Sequence, residues 1–116
     1  MTVLIVDDHP SFRASARTLL EAEGYEIVGE AENGAAAVEA VKKLKPDLVL
    51  LDVQLPDLDG FHVAEQLRQL ADPPAVVLTS SRDSADYGPC IQTCGAHGFV
   101  PKAELSGAAI AALLIA

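Results

Sequence analysis

Three aspartates follow two apolar runs of this sequence. Asp7 and Asp8 come directly after Leu4–Val6, and Asp52 follows Leu48–Leu51. Each run is typical of a buried strand of a parallel sheet, and in such sheets ligands bind outside the carboxyl ends of the strands. Three carboxylates at one rim repel one another by about 4 kcal/mol per pair at ~4 Å and an effective dielectric constant of ~20. Such a cluster needs a cation or bound protons, and the sequence therefore predicts a metal site.

The elements that must carry these acids alternate along the chain. Short apolar runs are separated by stripes of apolar residues at helical spacing, such as Phe12, Ala16 and Leu20, and Asn33 is placed to cap the second helix. This alternation predicts one domain over residues 1–116, a doubly wound α/β fold with a parallel sheet and right-handed crossovers. The expected strands are Thr2–Val6, Glu26–Ala31, Leu48–Leu51, Ala75–Leu78 and Gly98–Val100.

The composition excludes several classes of protein. A net charge of −9 argues against direct nucleic-acid binding, which needs clustered lysine and arginine. With 3 phenylalanines, 2 tyrosines and no tryptophan, the chain has little with which to stack a flavin. Acids at positions 7 and 8 argue against a signal peptide, and the apolar stretch Ala108–Ala116 is shorter than the ~20 residues of a membrane span. The 2 cysteines form no disulfide framework, so we expect a cytoplasmic protein without membrane association.

Two further polar residues belong to the same predicted rim. Thr79 ends the fourth apolar run, and Lys102 follows the fifth. Together with the loop Leu55–Gly60 and the segment Gly95–Lys102, this pattern resembles the receiver domain of bacterial response regulators of the NarL/LuxR type. The resemblance runs from residue 2 to the end of the chain. It implies a flavodoxin-like (CheY-like) five-stranded parallel sheet with the strand order 2-1-3-4-5.

The resemblance implies a phosphorylation switch rather than an enzyme with a separate substrate. Asp52 would accept a phosphoryl group from a phosphohistidine of a sensor histidine kinase, and the acyl phosphate would later hydrolyse by itself. Phosphoryl transfer depends mainly on positioning and on charge neutralisation. Lys102 would supply a positive charge, and the Thr79 hydroxyl would donate to a phosphoryl oxygen. The movement of Thr79 would let Phe99 turn inward and change the surface at which partners dock.

Mg²⁺ is the cofactor that the resemblance implies. It binds one or two carboxylates together with phosphate oxygens and water. Its direct ligands would be Asp8, Asp52 and the main-chain carbonyl of Gln54, while Asp7 would act through a bound water.

One departure from the family pattern concerns the residue after Lys102, where many receivers have proline and this chain has Ala103. A cis bond before a residue other than proline costs about 3–4 kcal/mol, so we predict a trans bond. The NarL/LuxR resemblance also implies a DNA-binding helix-turn-helix output domain beyond this chain, and it leaves homodimer formation open.

Taken alone, these residues also have interpretations that involve no binding site. Asp7 and Asp8 could cap the first helix, Thr79 could form a turn through its hydroxyl, and Lys102 could be solvated. Only their joint positions at successive strand ends favour a site. The loop acids Asp57 and Asp59 are interpreted as turn residues, and the cysteines of the fourth helix, Cys90 and Cys94, as core residues.

Three other functions compete with the switch. A receiver-like interaction or dimerisation module that never binds phosphate is the main alternative. A phosphatase of the haloacid dehalogenase type needs a second aspartate two residues after its nucleophile, where this chain has Gln54, which exchanges no proton at neutral pH. A flavodoxin-type electron carrier would need aromatic residues beside its flavin.

Overall fold

The protein, described here from a computed structural model, contains a five-stranded parallel sheet in the order β2-β1-β3-β4-β5. This order confirms the predicted one. The structure describes residues 1–81 and 87–115. The strands are β1 (Thr2–Val6), β2 (Glu26–Ala31), β3 (Leu48–Asp52), β4 (Ala75–Ser80) and β5 (Gly98–Pro101).

Helices follow the strands, and their first residues explain where they begin. They are α1 (Pro10–Ala22), α2 (Gly34–Leu44), α3 (Gly60–Arg68), α4 (Cys90–Thr93) and α5 (Gly107–Ile115), with a short 3₁₀ helix at Lys102–Glu104. Pro10 occupies the first position of α1, where a missing N–H leaves no bond unmade. The Asn33 side chain accepts the Ala36 N–H at 2.8 Å, so the predicted cap of α2 is confirmed.

The sheet is buried on both faces because alternate residues of each strand point to opposite sides. Strand residues such as Leu4, Val49 and Leu78 pack with α2 and α3 on one face. Their neighbours, such as Ile5 and Leu50, pack with α1 and α5 on the other. The acids at the strand ends are thus held by a rigid aliphatic core. No helix among the described residues combines the length and the apolar character needed to cross a membrane.

The fourth helix differs from the prediction. Tyr87 does not belong to its apolar face but precedes α4, and its hydroxyl lies 2.6 Å from Ser80 Oγ. Cys94 is buried as predicted, whereas Cys90 is exposed. The prediction that both cysteines belong to the core is wrong for Cys90, because α4 is only about one turn long and Cys90 lies at its outer end.

The described residues contain no cis peptide bond, so the trans bond predicted between Lys102 and Ala103 is confirmed.

Candidate functional site

The strand order brings the predicted acids to one rim. β1 and β3 are neighbours, so Asp7 and Asp8 after β1 lie beside Asp52 at the end of β3. Asp7 is fully buried and Asp52 is 2% exposed, while the side chain of Asp8 remains 35% exposed. Ligand atoms of Asp7, Asp8, His9 and Asp52 all lie within 4.8 Å of one another. This spacing is short enough for one small cation to contact several of these groups.

Lys102 reaches across the rim from the end of β5. Its Nζ lies 2.6 Å from Asp7 Oδ2 and 3.3 Å from Asp52 Oδ2. Burial alone would lower the pKa of this ammonium group, but the carboxylates of Asp7 and Asp52 outweigh that effect and raise the pKa. The lysine is therefore held charged between two acids. The expected contact with Asp52 is present, and the shorter contact with Asp7 is an addition that the sequence did not indicate.

Asp52 lies in surroundings that oppose its charge. Burial raises its pKa to about 6, and the neighbouring Asp7 carboxylate adds to the rise. The Gln54 N–H, 3.2 Å from Asp52 Oδ1, and the Lys102 ammonium lower the pKa without cancelling the rise. Loss of solvation and repulsion between like charges are the physical causes.

Thr79 lies directly opposite Asp52 in the register of β3 and β4. It is fully buried, and its hydroxyl has no hydrogen-bond partner among the residues that the structure describes. A buried hydroxyl without a partner is costly and calls for a physical explanation. The turn-forming alternative gains no support, because in that case a nearby backbone group would be the partner.

Asp7 does not cap the first helix. His9 is the N-terminal cap residue of α1, and its side chain makes no capping hydrogen bond. Asp7 Oδ1 instead accepts the His9 N–H at 2.8 Å, and His9 Nδ1 lies 3.0 Å from Asp7 Oδ1 and 3.1 Å from Asp8 Oδ1. The acids before α1 thus form a cluster with His9 at the rim.

Two residues near the site were not predicted to belong to it. Arg13 Nη1 donates to the main-chain oxygen of Asp7 at 2.6 Å, and its Nε pairs with Glu30 at 3.0 Å. The Lys102 ammonium lies 4.5 Å from the centre of the Phe12 ring. The arginine has no distinctive sequence signal, and the sequence indicates Phe12 only as a member of the apolar stripe of the first helix.

Phe99, the predicted switch residue, lies in β5 and is half-buried. Its ring centre is 5.9 Å from that of Tyr87, which in turn makes an edge-to-face contact with Phe61 at 5.5 Å. Ser80, next to Thr79, contacts the Tyr87 hydroxyl at 2.6 Å. These contacts connect the end of β4 with the aromatic side chains.

The loop after β3 folds back against the end of that strand. The Gly60 N–H donates to the Val53 carbonyl at 2.7 Å, and Gln54 pairs with Asp59 in an isolated antiparallel bridge. The side chain of Asp59 accepts the His62 N–H at 2.9 Å and caps α3. Gln54, at the start of this loop, lies next to the Asp52 carboxylate, because its N–H is 3.2 Å from Asp52 Oδ1.

Known proteins share both the sequence pattern and this geometry. The sequence pattern of the response regulator receiver domain family matches residues 3–113. The chain is 38% identical over 113 residues to the DNA-binding transcriptional activator EvgA of Escherichia coli K12, a match that covers 97% of this chain and 55% of EvgA. It is 43% identical over 103 residues to the transcription regulator BvgA of Bordetella pertussis, covering 88% of this chain and 49% of BvgA.

A solved structure of a receiver domain is also similar to this chain. The signal receiver domain of the NarL response regulator from Mycobacterium tuberculosis superposes with a TM-score of 0.84 at 36% identity, covering 97% of this chain and 95% of that domain. The chain spans about half the length of the curated relatives that it matches. The agreement covers nearly the whole chain, and the protein therefore belongs to the response regulator receiver domain family.

Proposed function

We propose that this chain is the phosphorylation switch of a two-component system in the cytoplasm and that Asp52 accepts the phosphoryl group. The observation that carries the proposal is the buried Asp52 carboxylate, paired with Lys102 and placed beside Asp7 and Asp8. Thr79 on the neighbouring strand, whose hydroxyl has no hydrogen-bond partner in the described part of the chain, completes the set. An oxygen nucleophile, a fixed cation and a hydroxyl donor at one rim are what phosphoryl transfer requires.

The donor set fits a Mg²⁺ ion. Of the three carboxylates at the rim, Asp7 and Asp52 share the Lys102 ammonium, so negative charge is left uncompensated among the described residues, and oxygen donors are the ligands that Mg²⁺ prefers. We propose Asp8, Asp52 and the main-chain carbonyl of Gln54 as direct ligands and Asp7 as a ligand through water. A bound Mg²⁺ supplies positive charge that neutralises the oxygens of the incoming phosphoryl group.

The transfer itself uses groups of this chain. An oxygen of Asp52 forms a bond to phosphorus while the P–N bond of the phosphohistidine donor breaks. The electron pair of that bond stays on the imidazole nitrogen, which takes up a proton. The ammonium of Lys102 pairs with one phosphoryl oxygen, and the Thr79 hydroxyl donates a hydrogen bond to another.

Phosphorylation places about 1.5 to 2 negative charges and strong acceptors at this rim, in place of the single charge of the Asp52 carboxylate. We propose that Thr79 moves toward them and that Phe99 repacks, so that the surface near β5 changes. EvgA is named a DNA-binding transcriptional activator and BvgA a transcription regulator, and this chain spans about half of each. We therefore propose a DNA-binding output domain outside this chain, a sensor histidine kinase as phosphoryl donor, and a homodimer as a form of the active state.

The test is intact-mass spectrometry after incubation with acetyl phosphate, with and without Mg²⁺. We expect one phosphoryl group on the wild type with Mg²⁺, none without it, and none on Asp52→Asn. Asp59→Asn is the matched control, because it neutralises an exposed acid of the same loop and should accept the group like the wild type.

A wild type that takes up no phosphoryl group from acetyl phosphate is next tested with Mg²⁺ and beryllium fluoride by NMR. An unchanged spectrum would overturn the switch and favour the phosphate-independent interaction module.

A further inference from the structure

The loop between β3 and α3, residues 53–59, is hydrogen-bonded to the first turn of α2 through the side chain of Asp57. Asp57 Oδ1 accepts the Gly34 N–H at 2.7 Å, and Asp57 Oδ2 accepts the Ala35 N–H at 3.0 Å. The Leu58 N–H donates to Asp57 Oδ1 at 2.9 Å. One carboxylate therefore joins the loop to the first turn of a helix that lies far away in sequence.

The position of Asp57 favours an ionised carboxylate. The first amides of a helix have no partner within the helix and carry partial positive charge. The Gly34 amide, followed by that of Ala35, lowers the pKa of the Asp57 carboxyl below its usual range. The direction of this shift is that of an acid stabilised by hydrogen bonds to its charged form.

The first turn of α2 packs closely against the same loop. A Cβ atom added at Gly34 would lie 3.2 Å from Leu58 Cβ and 2.9 Å from Val63 Cγ2. The contact between the helix and the loop is thus a packed one, and the Asp57 carboxylate fixes its register.

Gln54 lies between this contact and the phosphoacceptor. Its N–H donates to Asp52 Oδ1, and its backbone pairs with that of Asp59 on the far side of the loop. A main-chain carbonyl moves only with the backbone, so the position of the Gln54 carbonyl depends on the conformation of the loop. Asp57 lies in the part of the loop between Gln54 and Asp59.

We propose that Asp57 is a positioning residue: by binding the first turn of α2, it holds the Gln54 main-chain carbonyl at the rim as a Mg²⁺ ligand. The inference rests on the proposed function, in which that carbonyl binds the cation. Asp57 itself is neither one of the proposed Mg²⁺ ligands nor one of the groups proposed to bind the phosphoryl group. It acts as an outer partner that orients a ligand, a role whose loss typically weakens metal binding by about 10–100-fold.

Two substitutions at one position and one matched control test this role. Asp57→Ala removes both acceptor oxygens, whereas Asp57→Asn keeps one acceptor and removes the charge. Asp59→Asn makes the same chemical change two residues away, at an acid that caps α3 and whose side-chain hydrogen bonds, among the described residues, go to His62. Mg²⁺ affinity is measured by NMR titration, and the rate of phosphorylation by acetyl phosphate is measured as a function of Mg²⁺ concentration.

We expect the dissociation constant for Mg²⁺ to rise about tenfold in Asp57→Ala, about threefold in Asp57→Asn, and not in Asp59→Asn. The Mg²⁺ concentration for half-maximal phosphorylation should rise in parallel, while the rate at saturating Mg²⁺ stays within about twofold of the wild type, because the reacting groups are intact. If Asp57 had a purely structural role, its substitution would lower the stability of the protein. It would not weaken Mg²⁺ binding while leaving the rate at saturating Mg²⁺ unchanged.

Unchanged Mg²⁺ affinity in both Asp57 variants, with Mg²⁺-dependent phosphorylation of the wild type intact, would overturn the inference and leave the proposed function standing. If Asp57→Ala fails to fold, the comparison of the Mg²⁺ affinities of Asp57→Asn and Asp59→Asn tests the inference. A wild type that neither binds Mg²⁺ nor accepts the phosphoryl group would instead overturn the proposed function.

Discussion

The charges of Asp52 and Lys102 depend on surroundings that exist only in the folded protein. Asp52 has a pKa raised to about 6 by burial and by Asp7, so that protons compete with any cation for its oxygens near neutral pH. Lys102 is kept charged by two carboxylates at once. In the proposed function, a cation bound to the carboxylates would relieve the repulsion and would free the ammonium to pair with a phosphoryl group.

The first prediction concerns the stability of Asp52→Asn without Mg²⁺. The folded pKa lies above the ordinary value of 3.8, so the contribution of Asp52 to stability is full below pH 3.8 and is lost as the pH rises through about 6. Asp52→Asn removes this loss, and we expect it to be about 1–2 kcal/mol more stable than the wild type at pH 7.5, after discounting for solvent at the open rim.

Urea unfolding in EDTA at several values between pH 4 and pH 7.5 checks this prediction. The advantage of Asp52→Asn should shrink toward pH 4, and the exposed control Asp72→Asn should show none. A wild type as stable as Asp52→Asn at pH 7.5 would contradict the assigned electrostatics.

At the scale of the elements, the site depends on how strand ends and helix starts meet. The register of β3 and β4 sets Thr79 opposite Asp52, and the first residue of α3 returns the chain against the end of β3. A Cβ atom at Gly60 would lie 2.4 Å from the Asp52 main-chain oxygen and 2.8 Å from Val53 Cα. The glycine is needed here for space, because backbone atoms cannot yield as a flexible side chain can.

The second prediction is that Gly60→Ala destabilises the protein by about 1–3 kcal/mol, as overpacking of a tight contact does. The sign is diagnostic, because alanine in an unconstrained helix position is about 1 kcal/mol better than glycine. Chemical unfolding of Gly60→Ala is compared with His62→Ala, a change at an exposed position of the same helix. A Gly60→Ala variant at least as stable as the wild type would show that the loop has room to move.

At the scale of the whole molecule, the charge distribution couples folding to the proposed cation. The chain carries a formal charge of −9, and part of it is concentrated in buried or half-buried carboxylates at one rim. A cation that binds only the folded state stabilises that state by mass action. Metal binding and global stability should therefore change together.

The third prediction is that Mg²⁺ at about 100 times its dissociation constant raises the free energy of unfolding by about 2.7 kcal/mol. Sodium chloride at equal ionic strength is the control, because it screens surface charges without occupying the site. Removal of Mg²⁺ with EDTA should reverse the gain, and Asp52→Asn, which lacks one proposed ligand, should gain less. Equal stabilisation by the two salts would count against a specific site.

The alternation of elements and the residue types at the strand ends could be predicted from the sequence. Apolar runs and helical stripes are local signals, and parallel strands bring their carboxyl ends to one edge, so Asp7, Asp8 and Asp52 could be predicted to converge. The family resemblance supplied the strand order and the roles expected of Thr79 and Lys102. The length of the fourth helix and the exposure of Cys90 were not predicted, because a short apolar stripe does not define where a helix begins.

Which side chains meet across the rim could be seen only in the folded molecule. The short contact of Lys102 with Asp7, the support of Asp7 by Arg13, and the attachment of Asp57 to α2 join residues far apart in sequence or on different elements. No local pattern encodes such contacts, since they depend on how crossovers place whole elements and on which rotamers the packed neighbours allow. The raised pKa of Asp52 arises in the same way, because burial and the distance to Asp7 exist only after folding.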